Sequence, residues 1–149
     1  MSKLRTLAYK PGHLDCLEAK AVFSDQETVE RAFSVMTTTP GCMLTTIFNG
    51  RVPIAVVGMR IFREGYAEVY SLISVRAKDF PVSFHRTILA LLDQHEAQHS
   101  LRRVQMTVKA GHPENERWAE SLGFQFEGVL RAFDADGTDH VLFSRVKHG

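Results

Sequence analysis

The sequence has no excess of charge of either sign. Its 149 residues include 18 lysines and arginines against 17 aspartates and glutamates, so the formal net charge is +1. A near-neutral chain lacks the basic surface with which nucleic-acid-binding proteins neutralise phosphates, so nucleic acid is not an expected partner. No apolar run approaches the roughly 20 residues that cross a membrane, and residues 1–6 carry no apolar segment of a signal peptide. We therefore expect a cytoplasmic protein without a membrane partner.

Cysteine is equally scarce. Cys16 and Cys42 are the only two, and their spacing fits neither a metal site nor a redox motif. We interpret them as free thiols in a reducing cytosol, with a disulfide between them as the alternative. The sequence also has no repeats and no linker rich in proline, glycine or serine, so a single domain over residues 1–149 is predicted. Its hydrophobic content of 44% is enough to build a core.

What the sequence does contain is an alternation of strand and helix patterns. The longest helix is predicted over residues 83–99, where Phe84, Ile88, Leu91, Leu92 and His95 recur at helical spacing. A helix over residues 113–122 has proline in its first turn and glycine directly after its end. Further helices are predicted at 14–22 and 25–36, and strands at 4–9, 42–48, 53–62, 66–75, 103–109, 124–133 and 140–146. This order predicts an α/β fold with one mixed sheet of about seven strands and helices on both faces.

The stretch from Tyr66 to Phe124 resembles the acyl-CoA-binding half of the GNAT superfamily of N-acetyltransferases. It runs strand, loop, apolar helix, strand, turn and a short helix that ends in AESLGF at 119–124. Residues 50–58 resemble the family's second-to-third strand hairpin, and residues 71–75 the end of its fourth strand. Residues 123–131 and 141–146 resemble the C-terminal strands of the ribosomal-protein acetyltransferase branch. The resemblance covers nearly the whole chain and implies a GNAT-like fold whose fourth and fifth strands splay apart.

The resemblance implies an N-acetyltransferase that passes an acetyl group from acetyl-CoA directly to an amine of a protein or small molecule. In the family, two glycines after the fourth strand let backbone N–H groups close on the CoA pyrophosphate. Ser83 and His85 occupy those positions here, and their side chains crowd the approach. The cofactor-binding residues that the resemblance implies are Ile73, Ser74 and Val75 for the pantetheine, Phe80, Val82, Ser83, Phe84, His85 and Arg86 for the pyrophosphate, and Asn115 for the pantetheine arm.

A base is also needed, because an amine is protonated at neutral pH and must lose a proton before it attacks the thioester. Glu68 is the only acid in the predicted fourth strand and is the first candidate. His112 is the second. A salt-bridged strand residue and an exposed turn histidine are the structural alternatives for these two. Ala119 stands where the family often places a tyrosine that protonates the leaving thiolate, so this proton must come from elsewhere.

Residues 12–21 resemble the N-terminal segment of the small internal virion protein of short-tailed phages. This second resemblance implies a phage protein located in the host cytoplasm or the virion. Together with the substituted glycines, it supports an alternative function, namely a non-catalytic interaction protein that keeps a degenerate GNAT fold. A homodimer and a host or virion protein partner both stay open.

Residues 95–99 read His-Glu-Ala-Gln-His, which is an HExxH motif. On a helix, such histidines lie one turn apart and hold zinc, while the glutamate activates a water, so a zinc peptidase is the third hypothesis. The motif needs a third ligand, for which Glu116 and Glu120 are the candidates. In the acetyltransferase register, this segment ends the third helix, where histidines suit the negative end of the helix dipole. No metal is therefore expected.

Overall fold

The computed structural model describes residues 4–17 and 26–147, and for residues 15, 16 and 26–30 it describes the backbone alone. Within these residues, seven strands form one sheet in the order β1-β2-β3-β4-β5-β7-β6. Only β4 and β5 run parallel, and the other neighbours pair antiparallel. The predicted mixed sheet is confirmed. The strands are β1 (Leu4–Ala8), β2 (Cys42–Asn49), β3 (Val52–Arg63), β4 (Tyr66–Ile73), β5 (Arg103–Lys109), β6 (Gln125–Leu130) and β7 (His140–Val146).

Three α-helices accompany the sheet in the described residues: α1 (Gln26–Met36), α2 (Pro81–Gln98) and α3 (Pro113–Ser121). The helix predicted at 14–22 is wrong in its described part, which is a 3₁₀ helix at Pro11–Cys16. It starts earlier because proline is suited to the first position of a helix. Residues 18–25 lie outside the described part. No helix described is long and apolar enough to cross a membrane.

Two clusters of buried side chains hold the helices against opposite faces of the sheet. Successive strand residues point to opposite faces, and the neighbours Ala55 and Val56 accordingly belong to different clusters. One cluster joins Ala55 to α2 and α3, with Phe84 among its members. The other joins Val56 to α1 and the 3₁₀ helix through Phe33 and Leu14. The prediction of helices on both faces is confirmed.

The tight turn between β2 and β3 has the backbone that its sequence predicts. Gly50 follows Asn49 and has a φ of +61°, in the region that glycine adopts without strain. Cys42, at the start of β2, is a free thiol, as expected, and the side chain of Cys16 lies outside the described part.

The sheet opens between β4 and β5. Their pairing has three residue pairs and ends at Glu68 and Gln105. Beyond that point, β4 stays paired with β3 as far as Ile73, and β5 stays paired with β7 as far as Lys109. The two strands therefore diverge, and the predicted splay between the fourth and fifth strands is confirmed.

Candidate active site

The slot between β4 and β5 widens into a cleft of about 410 Å³. Its walls include Ala32 and Phe33 from α1 as well as Ile88 and Leu92 from α2, so it reaches both faces of the sheet. This volume lies in the range of small-molecule sites, and the lining combines apolar side chains with a few polar ones, as such sites do.

The β4 wall of this slot presents backbone groups that the sheet does not use. The N–H of Ser74 donates to the carbonyl of Ile54 on β3 at 2.8 Å. Because backbone groups alternate in direction along a strand, Val69, Ser71 and Ile73 turn theirs the other way, towards β5 and the slot. The N–H of Val69 closes the last pair with β5, so the carbonyl of Val69 and the groups of Ser71 and Ile73 are the ones left without a partner in the sheet. An extended ligand that carries amide groups can pair with such a strand edge.

Of the three residues predicted to hold the pantetheine, only Ile73 has backbone groups that face the slot. Ile73 turns its backbone to the slot. Ser74 does not, because its N–H is bonded to β3 and its Oγ accepts a hydrogen bond of 3.1 Å from the N–H of Arg76. Val75 is exposed and begins a 3₁₀ helix at Val75–Asp79. Sequence reasoning missed Ser71 and the carbonyl of Val69, since it placed the ligand at the end of the strand instead of along it.

The N-terminus of α2 offers backbone donors near the predicted pyrophosphate site. Pro81 has no N–H, and the first helical bond runs from the N–H of Phe84 to the carbonyl of Phe80 at 2.8 Å. The N–H groups of Val82 and Ser83 therefore have no partner within the helix. Such groups bind anions, and the helix dipole adds to the attraction.

The side chains of this segment differ in where they lie. Phe84 is buried, and its ring stacks on Trp118 with centroids 6.1 Å apart, so it belongs to the core instead of the pyrophosphate site. Phe80 is partly buried and packs against the same core. His85 is half-buried and Arg86 is exposed. The side chain of Phe84 is therefore not available to the pyrophosphate.

Asn115 lies in the first turn of α3 and lines the cleft. Only 5% of its surface is exposed, and its Nδ2 has no hydrogen-bond partner within the protein. A buried N–H without a partner costs about 1–3 kcal/mol, so its place in the cleft suggests that a ligand supplies the acceptor. His112 caps the same helix but is not among the cleft-lining residues, and its Nδ1 lies 3.8 Å from the carboxylate of Glu114.

Glu68 stands where β4 and β5 part, and three side chains hold its carboxylate. The Tyr66 hydroxyl and the Gln105 amide donate to Oε1 at 2.8 and 2.7 Å, and the Tyr70 hydroxyl donates to Oε2 at 2.6 Å. A carboxylate has about four acceptor positions, so roughly one remains, on Oε2. Glu68 lines the cleft and can use that position for one more donor.

The two tyrosines serve as hydrogen-bond donors and not as bases. Burial, followed by the hydrogen bond to Glu68, raises the pKa of Tyr66 to about 12. The same two causes, in the same order, raise the pKa of Tyr70 still further. Both phenols therefore keep their protons at neutral pH and fix the carboxylate in place.

The position expected for the acid holds Ala119, which is fully buried and whose methyl side chain has no proton to donate. Sequence reasoning missed a second polar group in the cleft. Thr107 Oγ1 lies 2.9 Å from Nδ1 of His140, whose Nε2 lies 3.2 Å from Oδ2 of Asp134. All three residues line the cleft. The alternation of polar and apolar residues along β5 was the available signal, because it marks a polar face on a central strand.

The HExxH motif lies at the end of α2, where the two histidines contact each other and the glutamate has a different partner. His95 lines the cleft, and its ring stacks on that of His99 with centroids 6.1 Å apart. Glu96 is buried and pairs with Arg145 at 3.1 Å. Among the side chains that the structure describes, no group of three potential metal ligands lies together. The peptidase hypothesis therefore gains no support from the geometry.

Comparison with known proteins gives a clear result for the fold alone. No protein-family model matches the chain, and no curated protein sequence matches it. A chimera of the spermidine N-acetyltransferase SpeG from Vibrio cholerae and hSSAT superposes with a TM-score of 0.77 at 16% identity, over 97% of this chain and 96% of that one. A point mutant of SpeG from Vibrio cholerae gives a TM-score of 0.70 at 15% identity, over 97% and 94%.

A third solved structure, a crystal structure named as that of a putative acetyltransferase, gives a TM-score of 0.74 at 20% identity. The match covers 97% of this chain and 86% of that one. At these identities, the likeness shows the fold, which is of the GNAT acetyltransferase type that the sequence resembles.

Proposed function

We propose that the protein transfers an acetyl group from acetyl-CoA to an amine. In this proposal, the amine attacks the thioester directly, without a covalent enzyme intermediate. The observation that carries the proposal is the β4 edge in the slot, where the carbonyl of Val69 and the backbone groups of Ser71 and Ile73 have no partner in the sheet. The pantetheine arm of CoA is an extended chain with two amides, which suits this edge.

Two further features fit acetyl-CoA. The unpaired Nδ2 of Asn115 would donate to an amide oxygen of the pantetheine arm. The free N–H groups of Val82 and Ser83 would meet the pyrophosphate, with Arg86 supplying a positive charge nearby. The side chains of Ser83 and His85 stand where the family often has glycine, so we expect weaker binding than an unhindered loop would give.

Glu68 is the proposed base. Its remaining acceptor position on Oε2 would bind the incoming ammonium group, directly or through one water, and take up a proton as the amine attacks. The donors Tyr66, Tyr70 and Gln105 hold the carboxylate still, so little reorganisation is needed at that moment. The inward N–H groups of β4 would polarise the thioester carbonyl.

The acceptor amine belongs to a protein or a small molecule. SpeG, which shares this fold, is a spermidine N-acetyltransferase. Spermidine is therefore a sensible first acceptor to test, in a panel that also contains peptides with free N-termini and with lysine.

A calorimetric titration of the metal-free protein with acetyl-CoA tests the proposal. We expect saturable binding of micromolar strength, followed by amine-dependent release of free thiol in the acceptor panel. The double variant Ser83→Gly with His85→Gly should bind more tightly, because it widens the approach to the α2 N-terminus. Unchanged or weaker binding by this variant would reject the crowding argument.

The second candidate is a non-catalytic interaction protein that retains the fold. The crowded loop and the fully buried Ala119 favour it, because both depart from the family pattern at positions that serve binding and catalysis. In that case, acetyl-CoA would fail to bind even at millimolar concentration. The protein would then be expected to act through a protein partner, of the host or the virion if the resemblance of residues 12–21 reflects a phage origin.

A further inference from the structure

Thr107, His140 and Asp134 form a continuous chain of hydrogen-bonding groups that ends in the cleft. The Thr107 hydroxyl lies 2.9 Å from Nδ1 of His140, and Nε2 of His140 lies 3.2 Å from a carboxylate oxygen of Asp134. His140 is 6% exposed, so its ring is sheltered from bulk water. Pairing of β5 with β7 brings the first two together, and the β6–β7 connection supplies the third.

The chain has two states, set by the charge on His140. When the ring is neutral, the Asp134 carboxylate requires a proton on Nε2, so Nδ1 accepts the hydrogen bond of the Thr107 hydroxyl. When the ring is protonated, both nitrogens donate. Nδ1 then donates to Thr107 Oγ1, and the threonine hydroxyl proton is free to point into the cleft. Protonation thus turns Thr107 into a donor.

Thr107 faces the same region of the cleft as the proposed base. It lies on β5 two residues beyond Gln105, at which the pairing with β4 ends, and both residues line the cleft with Glu68. Side chains two apart on a strand share one face, so Gln105 and Thr107 point the same way. Glu68 and Thr107 therefore occupy opposite walls of the opening.

Acetyl transfer needs an acid as well as a base, because a thiolate leaves the acyl carbon. Ala119 cannot supply its proton. We propose that His140, acting through the Thr107 hydroxyl, protonates the leaving thiolate, with Asp134 holding the imidazolium. This inference rests on the proposed function.

The proposed step is balanced. The carbon–sulfur bond breaks and the electron pair stays on sulfur. Sulfur takes the hydroxyl proton of Thr107, and Thr107 Oγ1 takes the proton on Nδ1 of His140 in the same motion. His140 is left neutral, with its Nε2 proton still donated to Asp134. Solvent restores the Nδ1 proton after the product leaves.

The charged groups around His140 are consistent with an imidazolium in this place. Asp134 is its direct partner, and Lys109 lies 3.6 Å from Asp134 and 3.3 Å from Asp136. The Lys109 ammonium group therefore offsets part of the negative charge of the two aspartates. The ring of Phe133 packs at 5.0 Å from that of His140 and covers the pair.

The test compares two acetyl donors in the variant His140→Gln. Glutamine keeps hydrogen-bonding capacity but carries no transferable proton. With acetyl-CoA, we expect kcat to fall about a hundredfold at nearly unchanged KM, which is the lower end of a general acid's usual contribution. With an acetyl aryl thioester, whose thiolate leaves without protonation, the loss should be less than about tenfold, because the acid is then not needed. A purely structural role for His140 would reduce turnover of both donors equally.

Two variants of Thr107 test the role of its hydroxyl group. Thr107→Val is isosteric but lacks the hydroxyl, and it should reproduce the His140→Gln result with acetyl-CoA. Thr107→Ser keeps the hydroxyl and should retain most of the activity. If His140→Gln fails to fold, Asp134→Asn replaces it, and it should likewise reduce kcat more with acetyl-CoA than with the aryl thioester, because the imidazolium loses its counter-charge.

The outcomes separate this inference from the proposed function. If the wild-type protein neither binds acetyl-CoA nor releases thiol, both are overturned. If it turns over normally and His140→Gln or Thr107→Val leaves kcat unchanged, only the relay is overturned. An acetyl adduct on Thr107, detected by mass spectrometry of the protein mixed with acetyl-CoA alone, would also overturn it, because threonine would then act as a nucleophile.

Discussion

At the scale of single residues, the carboxylate of Glu68 is the most constrained polar group in the cleft. Three donors from two strands fix it, and one of these, Gln105, also accepts a hydrogen bond of 3.1 Å from Arg103. Arg103 in turn forms two hydrogen bonds with Glu127. A base held in this way keeps one orientation towards the cleft.

We expect Glu68→Gln to reduce kcat/KM by about a hundredfold or more, because the variant keeps the shape of the side chain but cannot accept a proton. The measurement is amine-dependent thiol release across the pH range. Glu64→Gln is the control, since Glu64 is exposed and lies outside the cleft lining, and its loss should change activity little. Activity of Glu68→Gln that equals the wild type at every pH would show that Glu68 is not the base.

His95 predicts how stability depends on pH. Burial, and secondarily the nearby His99, lowers the pKa of His95 below its ordinary 6.5. The unfolded chain therefore binds a proton at a higher pH than the folded protein does. It follows that this group costs no stability above about pH 6.5 and destabilises the fold as the pH falls below it.

The variant His95→Gln should lose less unfolding free energy than the wild type between pH 8 and pH 5, as measured by urea denaturation at each pH. The difference between the two proteins at pH 8 measures the packing lost in the variant, since His95 is neutral there in both the folded and the unfolded wild type. Equal slopes for the two proteins would contradict the role assigned to His95.

At the scale of elements, the packing of α1 against the sheet depends on Gly58 in β3. A Cβ at this position would lie 2.7 Å from Leu44 Cδ2 and 2.9 Å from Met36 Cε, and 3.2 Å from an edge atom of the buried ring of Phe33. These distances are shorter than van der Waals contact, so the side chain of Leu44 on β2 would have to move, together with α1 or its side chains.

We expect Gly58→Ala to lower the free energy of unfolding by about 1–2 kcal/mol, in the usual range for overpacking of a core. Gly128→Ala in β6 is the matched control, because a Cβ there meets nothing within 4 Å. It should be neutral or slightly stabilising, since alanine restricts the unfolded chain. Chemical denaturation of both variants decides the matter, and equal effects would mean that α1 is not tightly packed on Gly58.

The elements also show what a local pattern can predict. Strands β5 and β7 have the bounds that their alternation predicts. The apolar spacing also predicts α2, although the observed helix starts at Pro81, two residues before the predicted start. The predicted β4 ends at residue 75, two residues beyond its observed end at Ile73. The N–H of Ser74 still bonds to β3, although Ser74 lies outside the strand. Local sequence carries the periodicity of an element, but its last residue depends on neighbours elsewhere in the chain.

At the scale of the whole molecule, the open slot is a weak point that a ligand should strengthen. Beyond Glu68 and Gln105, β4 and β5 no longer pair with each other, which leaves backbone groups of β4 without partners in the sheet. The Nδ2 atom of Asn115 also has no hydrogen-bond partner within the protein. We expect acetyl-CoA at a hundredfold excess over its Kd to raise the free energy of unfolding by about 2.7 kcal/mol.

The variant Ser71→Trp should abolish this stabilisation, because its side chain would fill the cleft from the β4 wall. Ser121→Trp, at an exposed position at the end of α3, should retain it. Thermal unfolding with and without acetyl-CoA is the measurement. A shift that persists in Ser71→Trp would place the ligand outside the slot.

The sequence by itself determined the order of the elements, the mixed sheet with helices on both faces, and Glu68, Ile73, Ser83 and Asn115 as residues at the slot or at the start of α2. These follow from periodicity, turn residues and family resemblance, which local stretches carry. Only the tertiary structure decided that Phe84 belongs to the core and that Ser74 is already bonded. It alone brought Thr107 to His140, which is 33 residues away. The reason is that the pairing of β5 with β7 and the parting of β4 from β5 depend on how distant segments pack, and no local pattern records that packing.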